Sequence, residues 1–352
     1  MSQNLAISRE RLLAFTQLGR AGPSSRVRLY DWLDRTGIQA TVFPYAGRAT
    51  NRFRSIAKGP TSVLAAEINV RKLAHQRHSR VLVHRGISPF SRGRLEAAVL
   101  HRAELGVFDF DDALMTLPPA SWNRPWSRAN ACYEAVRAAD TVLAGNDYLA
   151  DWAETLSANV VVIPSCIEPL NYVSKEDYNV KDPPQLVWMG TPSTEKYLML
   201  IAEPLLRVHD KTGAQLTVIS SGSRDLGTLT RMTSRVPWNP GSNSELQRFD
   251  IGLYPLFDGA WERGKCGYKM LQYAASGLPS VVSPVGANFS IAQRLGMPLA
   301  FHADDWVEQV LALIRMPTAD RRALGRSLLT NVTNSFSFSS WSRQWLHAIG
   351  EI

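Results

Sequence analysis

Short apolar runs alternate with longer stretches of helical spacing along most of the chain. The runs are rich in Val, Leu, Ile and Phe, which is typical of buried strands. In the first half of the chain we expect strands at Leu12–Leu18, Ala40–Phe43, Val81–His84, Leu105–Phe110, Thr141–Ala144 and Val160–Ile163. Helical spacing lies between them, as in Pro60–Gln76 and Ser91–Ala103. This alternation predicts an α/β fold in which helices cover both faces of a parallel sheet.

A polar stretch with three prolines, Glu168–Pro184, interrupts the alternation, and we interpret it as a linker. The pattern then starts again. We expect further strands at Gln185–Met189, Gln215–Ile219, Asp250–Tyr254 and Ser280–Ser283. A helix is expected over Ser193–His209, and another near Ser244. Two α/β units on either side of a linker predict two Rossmann-like domains that face a cleft.

The chain of 352 residues is long enough for two domains, and its hydrophobic content of 45% is that of a globular protein. It has no apolar run of about 18 residues that would predict a membrane span. The N-terminal residues lack the apolar core of a signal peptide. Cys132, Cys166 and Cys266 are too widely separated for a metal site, and they favour reduced thiols and a cytoplasmic protein.

The formal net charge is +8, and Lys and Arg crowd the N-terminal part of the chain. No zinc-finger or RNP motif accompanies them, so we do not expect nucleic acid as a partner. A solvated basic face is one interpretation of this charge. The other is contact with a phosphate-bearing acceptor or with an anionic membrane, which would make the protein peripheral at the inner membrane face.

The segment 263–288 has the layout of a phosphate site. A helix with one apolar face ends at Gly277, and the strand Ser280–Ser283 follows. The loop Pro284–Asn288 then leads into another helix, whose first N–H groups can hold an anion. Lys265 and Lys269 are on one helix face if both are helical, and they would supply positive charge beside the anion. A solvated basic helix edge is the structural alternative for the two lysines.

This segment resembles the donor-sugar region of retaining glycosyltransferases of family 4, which have the GT-B fold. The resemblance rests on the Lys265–Lys269 pair, on the run 273–279 and on the run 283–288. Less specific likenesses occur in the expected order along the chain, at Gly22–Arg28, Phe108–Ala113 and Asp250–Leu256.

The resemblance implies a nucleotide-diphosphate sugar as the donor substrate, no cofactor and no metal. It also implies a glycan, a lipid-linked glycan or a small molecule as the acceptor. In this interpretation Lys265 and Lys269 stabilise the departing diphosphate and are catalytic. The other donor-binding residues would be Gly190, Lys196, Gln272, Val285, Gly286, Ala287 and Asn288. The N-terminal loop residues Gly22, Ser24, Ser25 and Arg26 would close over the diphosphate.

The implied organisation assigns residues 1–167 to an acceptor-binding domain and residues 168–184 to the linker. Residues 185–335 would form the donor domain, and residues 336–352 a last helix that packs back on the first domain. His84, at the end of a predicted strand of the first domain, is a further catalytic candidate, although a lone histidine is more often structural.

The chain departs from the family at one motif. Many members carry a pair of glutamates in the donor loop and helix, and the matching positions here are Gly264 and Gln272. Gln272 can still hydrogen-bond a hydroxyl group, and Glu262 is close enough in sequence to substitute for the carboxylate missing at Gly264. This departure leaves two alternatives open. One is a non-catalytic nucleotide-sugar-binding or scaffold protein, and the other is an epimerase of the same fold.

Two other patterns carry less weight. Asp109, Asp111 and Asp112 look like a metal-binding DxD motif. Such metal sites belong to the other large glycosyltransferase fold, so we expect these aspartates to contact the acceptor or to have a structural role. A dinucleotide-dependent dehydrogenase is disfavoured because no strand is followed by G-x-G-x-x-G.

Overall fold

The computed structural model describes residues 11–45, 59–118 and 127–352. The chain forms two compact units. The first extends to Pro164 and also contains Ser342–Ile352, whereas the second consists of Ser165–Trp341. Each unit is built around a parallel sheet, as the alternating sequence pattern predicts.

The sheet of the first unit has six strands in the order β2-β1-β3-β4-β5-β6. The strands are β1 (Leu12–Thr16), β2 (Ala40–Pro44), β3 (His78–His84), β4 (Ala103–Phe110), β5 (Thr141–Ala144) and β6 (Val160–Val162). All six predicted strands are confirmed. The first ends before Leu18 because the Thr16 hydroxyl donates to the Leu18 carbonyl and accepts from the Leu18 N–H, which bends the chain.

Helix α1 begins at Pro23, with Gly22 as its N-cap, because proline at the first helical position loses no hydrogen bond. It consists of Pro23–Ser25, a π-helical turn at Arg26–Tyr30 and Asp31–Thr36. The other helices of this unit up to Pro164 are α2 (Pro60–Ala74), α3 (Arg94–His101), α4 (Arg128–Ala138) and α5 (Asp147–Glu154), with a 3-10 turn at Leu114–Thr116.

The sheet of the second unit has five strands in the order β11-β10-β7-β8-β9. They are β7 (Gln185–Met189), β8 (Gln215–Ile219), β9 (Thr233–Val236), β10 (Ile251–Tyr254) and β11 (Ser280–Val282). Four of them match predicted strands. The sequence did not predict β9, because this edge strand is mostly exposed and carries no apolar run.

The remaining helices are α6 (Ala202–Thr212), α7 (Ser242–Glu245), α8 (Ala260–Arg263), α9 (Tyr268–Ala275), α10 (Ala287–Leu295), α11 (Ala303–Arg315), α12 (Thr318–Phe336) and α13 (Phe338–Ala348). Shorter 3-10 segments lie at Pro169–Asn171, Pro192–Ile201, Gly227–Met232 and Leu246–Arg248. The single helix predicted over Ser193–His209 is therefore two pieces. Pro204 explains the break, since it has no N–H to bond the carbonyl of Leu200.

The segment that we interpret as a linker is anchored to the second unit. The Lys175 ammonium donates to the carbonyls of Gln247 and Phe249, at 3.2 and 2.7 Å. The Tyr178 hydroxyl donates to the Gly277 carbonyl at 3.0 Å. The Tyr178 bond attaches the start of the second unit to the turn at Gly277 that ends α9, and the Lys175 bonds attach it to the segment before β10.

The end of the chain completes the core of the first unit. The Trp345 ring stacks on Trp32, with centroids 5.0 Å apart and planes inclined by 5°. Both side chains are fully buried. Six residues after Trp345, Glu351 forms an ion pair with Arg80 of β3. Both packing and charge therefore attach residues 345–351 to the first unit.

Within the part of the chain that the structure describes, no helix is both long and apolar enough to cross a bilayer.

Trp345→Ala is expected to lower the free energy of unfolding of the protein by about 3–5 kcal/mol, because it empties a buried stacking position. Urea unfolding measures the change. Trp238→Ala is the matched control, since the Trp238 side chain is 42% exposed. Equal stability of the two variants would contradict the packing role of Trp345.

Candidate functional site

Helix α9 places the Lys269 side chain beside the carboxyl ends of β7 and β10 in the second unit. Ligands bind at such strand ends in open α/β sheets. The Lys269 ammonium lies 5.6 Å from the Trp188 ring and 5.1 Å from the Tyr254 ring. A Cβ on Gly190 would lie 2.4 Å from the Trp188 ring and 2.9 Å from Lys269 Cε. Only glycine therefore leaves room for the lysine at the end of β7.

Lys265 is not on the helix face of Lys269, and this part of the sequence prediction is wrong. Helix α9 begins at Tyr268, and its N-cap, Gly267, has the left-handed φ of 61°. Lys265 lies in the preceding loop, where its ammonium is 5.3 Å from the Trp261 ring. Gly267 was the signal in the sequence that the helix starts after Lys265.

Lys196 and Glu262 are brought together across the second unit. The Lys196 ammonium lies 3.7 Å from Glu262 Oε1 and 5.0 Å from the rings of Tyr197 and Phe257. The Tyr197 hydroxyl donates to the same carboxylate oxygen at 2.6 Å. Glu262 is buried, and its carboxylate is engaged in positioning Tyr197 and Lys196. The expectation that Glu262 substitutes for a carboxylate at Gly264 therefore gains no support from its contacts.

The loop that contains Gly286, just before α10, packs tightly against the end of α8. Gly286 is the N-cap of α10, with φ 54° and ψ −132°, and a Cβ there would lie 2.4 Å from the Arg263 carbonyl oxygen. The flanking residues Val285 and Ala287 are respectively buried and partly exposed. No side chain of the described residues caps this helix end. The Asn288 and Phe289 N–H groups donate to the Val285 and Gly286 carbonyls, at 3.1 and 3.3 Å, which leaves the Ala287 N–H to meet an anion.

Asn288 connects the starts of α9 and α10. Its side chain is fully buried, and Nδ2 donates to the Ser283 carbonyl at 3.2 Å. Its Oδ1 has no hydrogen-bond partner among the described residues, and it lies 3.3 Å from the position of a Cβ on Gly267. Asn288 is thus a buried support of the loop rather than an exposed contact.

Gln272 belongs to a polar group that the sequence did not reveal. Its Nε2 donates to Asn243 Oδ1 at 3.1 Å and to the Tyr172 hydroxyl at 3.3 Å. Gln272 lies one turn after Lys269 on α9, so both side chains project from one region of the helix. Asn243 and Tyr172 come from a short helix and from the polar connecting segment, where nothing in the local pattern marks them as functional.

The first unit holds a hydrogen-bonded chain at the ends of β3 and β4. His84 Nδ1 lies 2.8 Å from Asp109 Oδ1, and His84 Nε2 lies 3.0 Å from the Ser24 hydroxyl. The Ser24 oxygen is also 2.7 Å from both oxygens of Asp111. A serine, a histidine and an aspartate therefore meet, which the sequence order did not indicate. Because Ser24 has one proton and donates it to Asp111, this serine is not arranged as a nucleophile.

His84 is fully buried, and both its ring nitrogens are engaged. Any influence of His84 on a substrate therefore passes through Ser24. Arg28 is also inaccessible, because it pairs with Asp109 and donates to the Ile163 and Pro164 carbonyls at 2.6 and 3.0 Å. Arg28, although it lies in the segment Gly22–Arg28 that resembles the family loop, is therefore not available to a ligand.

The other residues of the predicted N-terminal loop, at positions 22, 25 and 26, differ in how far they are exposed to solvent. Gly22 is buried, and a Cβ there would lie 2.6 Å from Leu18 Cβ. The Ser25 hydroxyl is 2.7 Å from that of Thr16, so it fastens α1 to the end of β1. Arg26 is half-buried and is the cation of this loop that keeps access to solvent. Ser24 and Arg26 are thus the two polar side chains of the predicted loop that remain candidates for ligand contact.

The three aspartates at and just after the end of β4 are paired with arginines. Asp109 pairs with Arg28, and Arg85 lies 3.5 Å from Asp111 and 2.9 Å from Asp112. Within residues 11–45, 59–118 and 127–352, no cluster of three or more His, Cys, Asp or Glu side chains could hold a metal ion. Burial opposes ionisation of Asp111, but the attraction of Arg85, His84 and Arg28 outweighs it and lowers the pKa of this carboxyl.

Asp111→Asn is expected to destabilise the protein by about 2–3 kcal/mol at neutral pH, because it removes charged hydrogen bonds. The lowered pKa means that this contribution is complete above the unfolded pKa of about 3.9 and is lost as the pH falls through the folded value. Urea unfolding between about pH 3 and pH 7 should therefore show the two proteins converging at the acid end. The exposed Asp151→Asn is the control, and a gap that stays constant with pH would contradict the assignment.

No family model matches the chain, and no curated protein matches it. Solved structures do match. Anabaena Alr3699/HepE, determined in complex with UDP and glucose, is 12% identical with a TM-score of 0.69, and the match covers 97% of this chain and 100% of HepE. Sucrose-phosphate synthase from Thermosynechococcus elongatus is 12% identical with a TM-score of 0.66, over 96% and 97% of the two chains.

TarM is 11% identical with a TM-score of 0.58. That match covers 77% of this chain and 54% of TarM, so the protein spans about half the length of that relative. At such identities the similarity is one of fold. The neighbours are GT-B proteins, and the predicted fold class of two Rossmann-like domains is confirmed.

Proposed function

We propose that the protein is a retaining glycosyltransferase that moves a sugar from a nucleotide-diphosphate sugar to an acceptor. One observation carries the proposal. The Lys269 ammonium is held over Trp188 and Tyr254 beside Gly190, at the carboxyl edge of the second sheet. A cation fixed in this way does not have to reorganise when negative charge develops nearby.

The proposed chemistry follows from that charge. The bond between the anomeric carbon and the diphosphate oxygen breaks, and negative charge grows on the leaving phosphate. Lys269, Lys265 and the Ala287 N–H at the start of α10 stabilise this charge. The acceptor hydroxyl forms the new bond on the face that the leaving group vacates, and its proton passes to the departing phosphate. No separate general base and no metal is needed in this scheme.

The nucleotide and the sugar are proposed from two kinds of support. HepE was determined with UDP and glucose, and we infer a UDP-hexose donor for this chain. The run 273–279 and the run 283–288 resemble retaining family 4 enzymes. At the position where many of those enzymes have a glutamate, this chain has Gly264. We propose that the amides of Gln272 and Asn243, 3.1 Å apart, provide the hydroxyl-binding groups.

We also propose that the first unit contacts an anionic membrane, where it would meet a lipid-linked acceptor. On α2 the side chains of Leu64 and Ile68 are 62% and 60% exposed and lie one turn apart. Arg71 and Lys72 follow on the same helix and are exposed. Apolar anchors next to cations fit an anionic lipid surface. The free, buried cysteines suit the reducing cytoplasmic side of that membrane.

Nucleotide binding tests the donor site. Among UDP, GDP, TDP, ADP and CDP, we expect UDP to stabilise the protein by about 2.7 kcal/mol at a hundredfold excess over its Kd. Thermal unfolding gives the shift. Lys269→Met keeps the apolar stem over Trp188 but removes the charge, and should weaken UDP binding at least tenfold, by roughly 1.5 kcal/mol or more.

Lys211→Ala, which changes an exposed lysine of α6, should bind UDP as the unaltered protein does. If no diphosphate stabilises the protein, the donor site is wrong. If UDP binds but the protein neither transfers nor hydrolyses a UDP-hexose, the non-catalytic binding alternative takes its place.

Vesicle sedimentation tests the membrane contact. The protein should co-sediment with phosphatidylglycerol vesicles and much less with phosphatidylcholine vesicles. Leu64→Ser with Ile68→Ser should reduce the bound fraction at least tenfold, since full burial of each side chain contributes about 1.5–3 kcal/mol. Leu170→Ser with Val173→Ser, at exposed apolar positions of the second unit, is the control. Binding that both double variants retain would contradict the assignment to α2.

A further inference from the structure

Arg85 is held in a costly backbone conformation at the carboxyl end of β3. Its φ of 63° is the one positive φ of a non-glycine residue in the described ranges. Gly86 follows with φ 132°, and the Arg85 N–H donates to the Asp109 carbonyl at 2.8 Å. A left-handed non-glycine residue costs about 1–3 kcal/mol, and such strain concentrates at ligand sites. The turn therefore places this guanidinium at a specific point of the strand edge.

The guanidinium of Arg85 is only partly satisfied. Its two terminal nitrogens face Asp111 and Asp112, at 3.5 and 2.9 Å. Its Nε is buried and has no hydrogen-bond partner among the described residues. An unpaired buried donor costs about 1–3 kcal/mol, so an acceptor supplied by a ligand would stabilise this site.

Arg128 provides a second cation near Arg85, because the turn at Arg85 and Gly86 and the Arg128 side chain both adjoin Gln17: a Cβ on Gly86 would lie 2.7 Å from Gln17 Nε2. It is the first residue of α4, and its Nη2 donates to Gln17 Oε1 at 3.1 Å. Within the described ranges, no carboxylate lies close enough to Arg128 to form an ion pair. The Arg128 side chain is exposed. Desolvation by nearby protein atoms and the like charge of Arg85 lower the pKa of Arg128 to about 10, so it stays protonated at neutral pH.

A merely solvated arginine would turn away from the like charge of Arg85. Gln17 holds Arg128 in place instead, and Gln17 is itself fixed by donating to the Ser88 carbonyl at 3.4 Å. The positive end of the α4 dipole adds to the local potential. Among the described residues, Asp111 and Asp112 pair with Arg85 and no carboxylate pairs with Arg128, so Arg128 is the cation of the two that can take a further negative charge.

We propose that Arg128 and Arg85 bind a phosphate group on the acceptor. Guanidinium groups suit phosphate because their N–H donors match pairs of its oxygens. The inference rests on the proposed glycosyl transfer and specifies its acceptor class as a phosphorylated sugar or lipid. The Arg85 Nε and the free face of the Arg128 guanidinium supply the donors, and Asp111 and Asp112 hold Arg85 in position.

The test measures phosphate binding with the donor site filled. The full chain is saturated with UDP, so that Lys265 and Lys269 are occupied, and inorganic phosphate is titrated by calorimetry. Arg128→Gln should weaken phosphate binding at least tenfold, and Arg128→Lys should fall between the two. Arg137→Gln, at an exposed arginine of the same helix, is the matched control and should bind phosphate normally.

Thermal unfolding and UDP affinity are measured for every variant. Weak phosphate binding with unchanged UDP affinity and unchanged Tm supports the inference. Equal phosphate binding by Arg128→Gln and Arg137→Gln overturns it, as does failure of the unaltered protein to bind phosphate while it binds UDP. Failure to bind UDP would instead count against the proposed function, and these results are therefore distinguishable.

Competition identifies the source of the phosphate. Glucose 6-phosphate that displaces inorganic phosphate, while glucose does not, supports a soluble sugar phosphate. Displacement by a micellar polyprenyl phosphate alone supports a lipid acceptor. Displacement by neither compound overturns the assignment to an acceptor.

Discussion

The proposed donor site depends on the close approach of Lys269 to the end of β7. An ammonium group within reach of two aromatic faces is attracted to both, and the missing side chain at Gly190 makes the approach sterically feasible. The same constraint appears at Gly286, which packs against the Arg263 backbone. Glycine at these two positions thus permits Trp188 and Lys269 to pack beside the end of β7, and the loop before α10 to pack on Arg263. At both positions a Cβ would overlap the neighbouring atoms and push the packed segments apart.

The first unit uses a different principle, in which hydrogen bonds and ion pairs link polar side chains into a mostly buried chain. Arg28, Asp109, His84, Ser24 and Asp111 are linked in that order. Arg85 continues it beyond Asp111. Each ionic group has a partner of opposite sign on at least one side, which offsets the cost of burying it. Such a chain fixes the first turns of α1 to the ends of β3 and β4.

The sequence predicted what local periodicity and punctuation control. Buried strands such as β1 and β10 follow from apolar runs, and the end of α9 follows from Gly277. The edge strand β9 is not predicted because its residues are mostly exposed, and its sequence therefore has no apolar run. The spacing of the two lysines favours a helix that includes Lys265, but Gly267 sets the N-terminus of α9 and leaves Lys265 outside the helix. The contact of Ser24 with His84, separated by 60 positions, arises from the topology of the sheet and leaves no local pattern.

The position of Trp345 has a consequence for how the protein is made. The first unit begins before the second in the sequence, but its core includes a ring that is synthesised after the whole of the second unit. The second unit, by contrast, is contained within residues 165–341. Domains usually fold from the N-terminus onward as they leave the ribosome. Here the later unit has all its strands and helices first, whereas the earlier unit must wait, with the Trp32 face unfilled, until translation reaches residue 345.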